Sequence, residues 1–294
     1  MSQIAGFILI LALITMGLVS TGATAVLTAL PFELALIGGA AFATLLIGNA
    51  PAISWEALRG LALAVTGSRW RRADHAALLA VLHRALTLHR KKGALGLEAD
   101  LEDPENSALF QAAPRLLKDA DARTQLCEAL RLMGMGQGGV ARVDDQLQRA
   151  IDTTHHRRMQ AVSALQTVAD ALPALGIVAA VLGIIKTMTA IDESDAVIGA
   201  MIATALLGTF LGVFLAYGLV GPLANRFGQV VEEELGALEV IAVAVSAVAS
   251  GSPPRVAVET ARTSLPPALR PSDADMDGRL HEAAPLHLVR KSAA

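Results

Sequence analysis

The chain has 294 residues, of which 53% are hydrophobic and 17% charged. Soluble domains carry roughly 25% charged residues, and a mean hydropathy of +0.51 leaves too little polar surface to coat a water-soluble fold of this size. A net charge of −3 and ten aromatic side chains exclude a basic, base-stacking nucleic-acid surface, and the single cysteine, Cys127, excludes an intrachain disulfide framework.

No residue before Glu33 is charged. Ile4 to Val19 is an unbroken apolar run, and with its flanks it reaches the ~20 residues that cross a bilayer. Ala23 and Ala25 resemble a small-residue cleavage site, but the amino end lacks the Lys or Arg of a secretion signal. A retained helix is therefore expected. Leu34 to Trp55 is a second uncharged stretch in which Gly38, Gly39, Ala40, Ala41 and Ala43 permit close helix approach. Trp55 suits a membrane–water boundary.

Residues 56–170 hold 16 of the 24 Lys and Arg. Apolar residues recur at helical spacing in Ala76–Leu88, Thr124–Leu132 and Val143–Ile151, and the glycines at 134, 136, 138 and 139 divide two of these helices. The segment reads as a cytoplasmic helical domain. Within it, Arg90-Lys91-Lys92 turns into the acidic run Glu98, Asp100, Glu102, Asp103 and Glu105. Such a run is either a solvated face or a docking surface of complementary charge.

Ala171 to Ile191 is the third apolar stretch, with Lys186 its only charge near one end. The fourth, Val197 to Asn225, has no ionisable side chain except the Tyr217 phenol. It carries small residues at every fourth position: Ala200, Thr204, Gly208, Gly212 and Ala216. Gly176 and Ala180 begin a shorter stripe on the third. Both stripes favour close packing within or between chains. Thr209, beside the stripe, either bonds back to its own helix or faces a water or ion path. Pro173 reads as a first-turn proline or a hinge, and Pro222 as a kink or a hinge.

The expected fold is all-α: a polytopic membrane protein with four transmembrane helices and a cytoplasmic helical domain. Residues 1–55 hold the first two spans, 56–170 the cytoplasmic domain, 171–225 the last two spans, 226–271 a helical extension and 272–294 a disordered tail. The loops between paired spans, about 20–33 and 192–195, lack Lys and Arg, so both termini are expected in the cytoplasm. No Asp, Glu or His falls inside any of the four stretches so drawn. A conducted proton or cation would then need its titrating group from another polypeptide. No phosphate loop, metal-ligand spacing or catalytic cluster appears, so neither an enzyme nor a cofactor is expected.

Pro173–Ile184 (PALGIVAAVLGI), Leu207–Val220 (LGTFLGVFLAYGLV) with Gly221-Pro222-Leu223-Ala224, Ile47-Gly48-Asn49, the run from Gly93 to Pro104 and Pro253–Glu259 (PPRVAVE) together resemble the MotA family of flagellar stator subunits. The resemblance spans most of residues 1–272 in order. It implies a homo-oligomeric ring of five chains around two MotB chains, whose membrane helix supplies the ion-carrying aspartate. It implies that Arg90 and Glu98 engage the rotor protein FliG, that Pro173 and Pro222 are functional prolines and that Thr209 lies near the ion site. Ala180 stands where sodium-driven relatives carry threonine, which favours protons. A further charged rotor position falls near Ala150, where Arg149 is the neighbouring candidate. The rival reading is an ExbB- or TolQ-like energiser of outer-membrane processes.

Overall fold

The computed structural model describes residues 2–20, 24–134 and 139–282, and among them every regular element is helical. They divide into two compact units: residues 1–67 with 157–230, and residues 68–156 with 231–294.

The first unit begins with α1 (Ser2–Ser20) and α2 (Thr24–Gly48). α2 starts well before the expected second span and takes in most of the expected loop of about 20–33; residues 21–23 lie outside the described residues. α2 also stops earlier than expected. Pro51 opens α3 (Pro51–Thr66), and Ala50 before it is extended at φ −61°, ψ 148°. A residue preceding proline avoids helical geometry, so Trp55 belongs to α3 and not to the span. Asn49 Nδ2 and Ser54 Oγ both donate to the Leu45 carbonyl at the break.

α9 (Gly139–Met188) and α10 (Asp195–Phe214) supply the long apolar helices of this unit. A π-helical turn, Leu215–Val220, carries the chain from α10 into α11 (Gly221–Ala249). Three stretches are long and apolar enough to cross a membrane: Thr28–Gly48, one within Arg142–Met188 and one within Asp195–Ala249. In α1 the apolar stretch is shorter, Ala5–Gly17. Phe7, Ile8, Leu9, Leu13 and Met16 of α1 are exposed, as are Ile177, Val178, Val181 and Ile185 of α9, which suits lipid and not water.

The second unit is built on α4 (Arg72–Lys92). Its Leu78, Leu79, Val81, Leu82, Ala85 and Leu86 are buried. After a 3-10 turn at Ala94–Gly96 come α5 (Glu98–Glu102), α6 (Ala108–Gln111), α7 (Pro114–Lys118) and α8 (Ala120–Gly134). α8 adds Leu126, Ala129 and Leu130 to the core, and the carboxyl-terminal half of α11 adds Leu238, Ile241 and Val245. α12 (Pro254–Ser264) and α13 (Asp273–Glu282) both pack on α4.

α13 corrects the expectation of disorder from residue 272. Ser272 and Asp275 form a reciprocal cap: Ser272 Oγ donates to Asp275 Oδ2 at 2.6 Å, and the Asp275 amide donates back to Ser272 Oγ at 3.2 Å. Met276 is buried, and Asp273 meets Arg262 at 2.6 Å. Residues 283–294, the rest of the expected tail, lie outside the described residues.

Candidate functional site: a glycine seam between two apolar helices

α9 and α10 run antiparallel with their backbones almost touching. A Cβ placed on Gly176 would lie 2.7 Å from the Gly208 carbonyl oxygen and 2.9 Å from the Gly212 Cα. One on Gly183 would meet Ala205 at 2.6 Å, and one on Gly212 would meet the Leu172 carbonyl at 2.7 Å. Any side chain at these positions would force the helices apart, so the small-residue stripes are a seam within one chain.

The seam brings together Ala180 and Thr209, two residues singled out in the sequence. A Cβ on Gly208 would lie 3.1 Å from the Ala179 Cβ and 3.2 Å from the Ala180 amide nitrogen, so Ala180 stands beside the residue that precedes Thr209. Thr209 is half-buried. Thr44, Thr187 and Thr204 each donate to the carbonyl four residues back. Thr209 makes no hydrogen bond among the described residues, which leaves its hydroxyl for a water or an incoming group.

Pro173 is not in a first turn, because α9 begins at Gly139 and passes through it unbroken. Proline has no N–H and cannot hydrogen-bond to the carbonyl of Ala169, four residues before it. On the facing helix, Pro222 follows the π-helical turn at once. A wider turn there makes room for a ring that would strike a regular helix. Gly221 fits against the Ala216 carbonyl, where a Cβ would lie at 2.8 Å. The antiparallel register of the glycine contacts places Pro173 level with Leu215, where the π-helical turn begins.

One charged residue corrects the expectation of acid-free spans. Glu33 lies within the apolar stretch Thr28–Gly48 and is 5% exposed. The helix runs through it, although the charge marks the edge of the hydropathy run.

In the second unit, the last turn of α4 carries His89, Arg90, Lys91 and Lys92. Gly93, at φ 66°, turns the chain, and its amide donates to the His89 carbonyl. Leu95 is 82% exposed in the turn that follows. Glu98 and Asp100 open α5. Asp100 accepts from Ser107, Asp103 holds Asn106, and Glu105 pairs with Arg123 at 3.0 Å. Arg90 and Glu98 are exposed and form no ion pair among the described residues. Arg149, beside Ala150, pairs with Asp145 at 3.8 Å. His155 contacts Glu232 at 2.9 Å.

Residues 119–240 match the MotA/TolQ/ExbB proton channel family, and residues 4–93 match the motility protein A N-terminal family. Motility protein A of Salmonella typhimurium is 31% identical over 272 residues, 92% of each chain. The chain belongs to this proton channel family. Motility protein A of Escherichia coli is 32% identical over the same span, and chemotaxis protein LafT of Vibrio parahaemolyticus is 33% identical over 252 residues, 86% of this chain and 88% of that protein. The solved MotAB structure of C. jejuni matches the fold with a TM-score of 0.70 at 20% identity, covering 90% of this chain and 96% of that one. The flagellar MotAB stator complex of Bacillus subtilis matches at 0.67 and 22%, covering 90% and 95%. The seam therefore belongs to a proton channel family member that shares its fold with MotAB.

Proposed function

We propose that this chain is the ion-channel subunit of a bacterial flagellar stator. With a MotB-type partner it forms a proton-conducting complex that applies torque to the rotor. The observation that carries this reading is the near full-length likeness to motility protein A. The match of residues 4–93 to the motility-specific N-terminal family favours a stator over an ExbB- or TolQ-like energiser.

α1, α2, the apolar part of α9, and α10 with its π-helical turn serve as the four spans of an inner-membrane protein. The Lys and Arg outside them put both termini and the second unit in the cytoplasm. Five chains surround two partner helices, each of which brings an aspartate. Thr209 and Ala180 line the path of the proton to that aspartate. A sodium ion needs several oxygen ligands, and Ala180 supplies no side-chain oxygen. Pro173 and Pro222 transmit the strain of proton binding, and Arg90 and Glu98 meet charges on FliG.

Swimming of a strain deleted for this gene tests the reading. Restored swimming in sodium-free medium, only when a MotB-type partner is present, is the supporting result. Restored outer-membrane uptake without swimming would favour the energiser.

A further inference from the structure

Glu33 is the only Asp, Glu, Lys, Arg or His in α2. The buried side chains described for this helix are Glu33, Ile37, Ala41 and Leu45, spaced by four along the chain. That spacing puts all four on one stripe. α2 packs against α10, the helix that carries Thr209. The carboxyl group therefore belongs to the inward stripe and not to the lipid face. Its Oε2 is fully buried and has no hydrogen-bond partner.

The depth of Glu33 follows from the helix. At ~1.5 Å per residue it lies about 22 Å from Gly48 and about 7 Å inside Thr28. Gly60 of α3 packs on the ring of Phe227, so the Gly48 end of α2 lies with the far end of the α10–α11 rod. Glu33 is thus in the half of the span nearer Asp195 and the α9–α10 turn. Of the elements packed on α2, α10 has one titratable group, Asp195 in its first turn, and α3 has Glu56 and Arg59 beyond Gly48. No cation accompanies Glu33 on either helix at its depth.

Lys186, in the last turn of α9, is exposed, and Glu33 forms no ion pair among the described residues. A buried carboxyl without an ion pair is costly to keep in a membrane and marks ion and proton pathways. A packing role alone would be filled better by an apolar side chain such as those of Ile37 or Leu45.

We propose that Glu33 is a proton-binding site on this chain, in series with the partner's aspartate. This rests on the stator reading above. A proton from the water at the α9–α10 turn adds to the Glu33 carboxylate, forming an O–H bond. That bond then breaks as the proton passes, directly or through water, to the partner's carboxylate. Glu33 returns to its starting state, and no electrons change hands.

The test uses the complete complex with its partner, comparing wild type, Glu33→Gln and Glu33→Asp. Gln keeps the size and hydrogen-bonding reach of Glu but cannot exchange a proton as a carboxyl does. The expected result is normal assembly of Glu33→Gln with proton flux lowered roughly tenfold or more, the lower end of what a positioned acid or base contributes. Glu33→Asp should recover most of the flux. Infrared difference spectra of the purified wild-type complex should show a pH-dependent carboxylic C=O band that is missing from Glu33→Gln. Full flux in Glu33→Gln would overturn the proposal. So would loss of assembly in both variants with no missing band. A wild-type complex that conducts nothing would sink the stator reading instead, and the infrared band would still report whether Glu33 exchanges protons.

Discussion

Gly176 and Gly212 meet backbone to backbone: a Cβ on Gly176 would lie 2.9 Å from the Gly212 Cα, and one on Gly212 would lie 2.8 Å from the Gly176 Cα. Neither neighbour can yield, because both are main chain. Gly212→Val should destabilise the α9–α10 pair by about 1–3 kcal/mol, the usual cost of overpacking. It should lower the melting temperature of the purified complex and abolish swimming together. Gly199 has open space around it, so Gly199→Ala should leave both unchanged.

Ala180 tests the ion path apart from the fold. It is half-buried and its amide adjoins Gly208. Ala180→Leu should stop proton flow while the complex still assembles. Unchanged torque would put that face outside the pore. Thr209→Val keeps the shape and removes the hydroxyl. If Thr209 holds a water of the path, flux should fall in Thr209→Val and recover in Thr209→Ser.

The seam was legible because glycine and alanine at every fourth position have few other uses in a membrane helix. Even so, the bulky Leu172 joins the seam through its carbonyl, which contacts Gly212. A backbone atom leaves no mark in a side-chain pattern. The π-helical turn was hidden for the same reason, although Gly221-Pro222 stood in the sequence. Glu33 was misplaced because hydropathy breaks at a charge while helix hydrogen bonds do not. Its spacing with Ile37, Ala41 and Leu45 was the usable signal. Ser272 and Asp275, a capping pair, were the corresponding signal for α13.

Arg262 staples α13 to α12. It is 11% exposed, reaches Glu259 and Asp273 at 2.6 Å each, and donates to the Pro271 carbonyl at 2.8 Å. The Arg262 hydrogen bond holds the Glu259 carboxyl below its ordinary range. Arg262→Ala should release α13, read as faster proteolysis after residue 270 with little change in the melting of the core. Arg262→Lys should rescue only partly, because an ammonium cannot match the forked geometry.

His75 makes the second unit sensitive to acid. It is fully buried, its ring lies 5.3 Å from Trp70, and neither ring nitrogen has a hydrogen-bond partner. Burial pushes its imidazole down to about 4, with Asp74 pulling weakly upward. In the unfolded chain it titrates near 6.5. The unfolded state therefore binds more protons between those values. The contribution is complete above the unfolded value and lost as pH falls toward 4, reaching on the order of 3 kcal/mol. Thermal melts between pH about 7 and about 5 should show a loss of about 2 kcal/mol that His75→Leu removes. An equal pH slope in both proteins would place the sensitivity elsewhere.

Arg90 and Glu98 bracket a turn in which Asp100 is engaged by Ser107, Asp103 by Asn106 and Glu105 by Arg123, while Glu102 is exposed and, like Glu98, forms no ion pair among the described residues. Arg90 and Glu98 are exposed at its two shoulders, with the apolar Leu95 between them in sequence. Exposed charges contribute little to stability, typically about 0–1 kcal/mol, so removing either should not disturb the fold. Arg90→Glu should weaken swimming strongly while leaving membrane level and partner binding unchanged. Glu98→Lys should act the same way but less severely if one opposite charge on the rotor faces each residue. Reversal of the matching charge on FliG should restore swimming to Arg90→Glu and impair wild type, the signature of a direct pair. Equal loss of assembly and swimming in Arg90→Glu would make Arg90 structural.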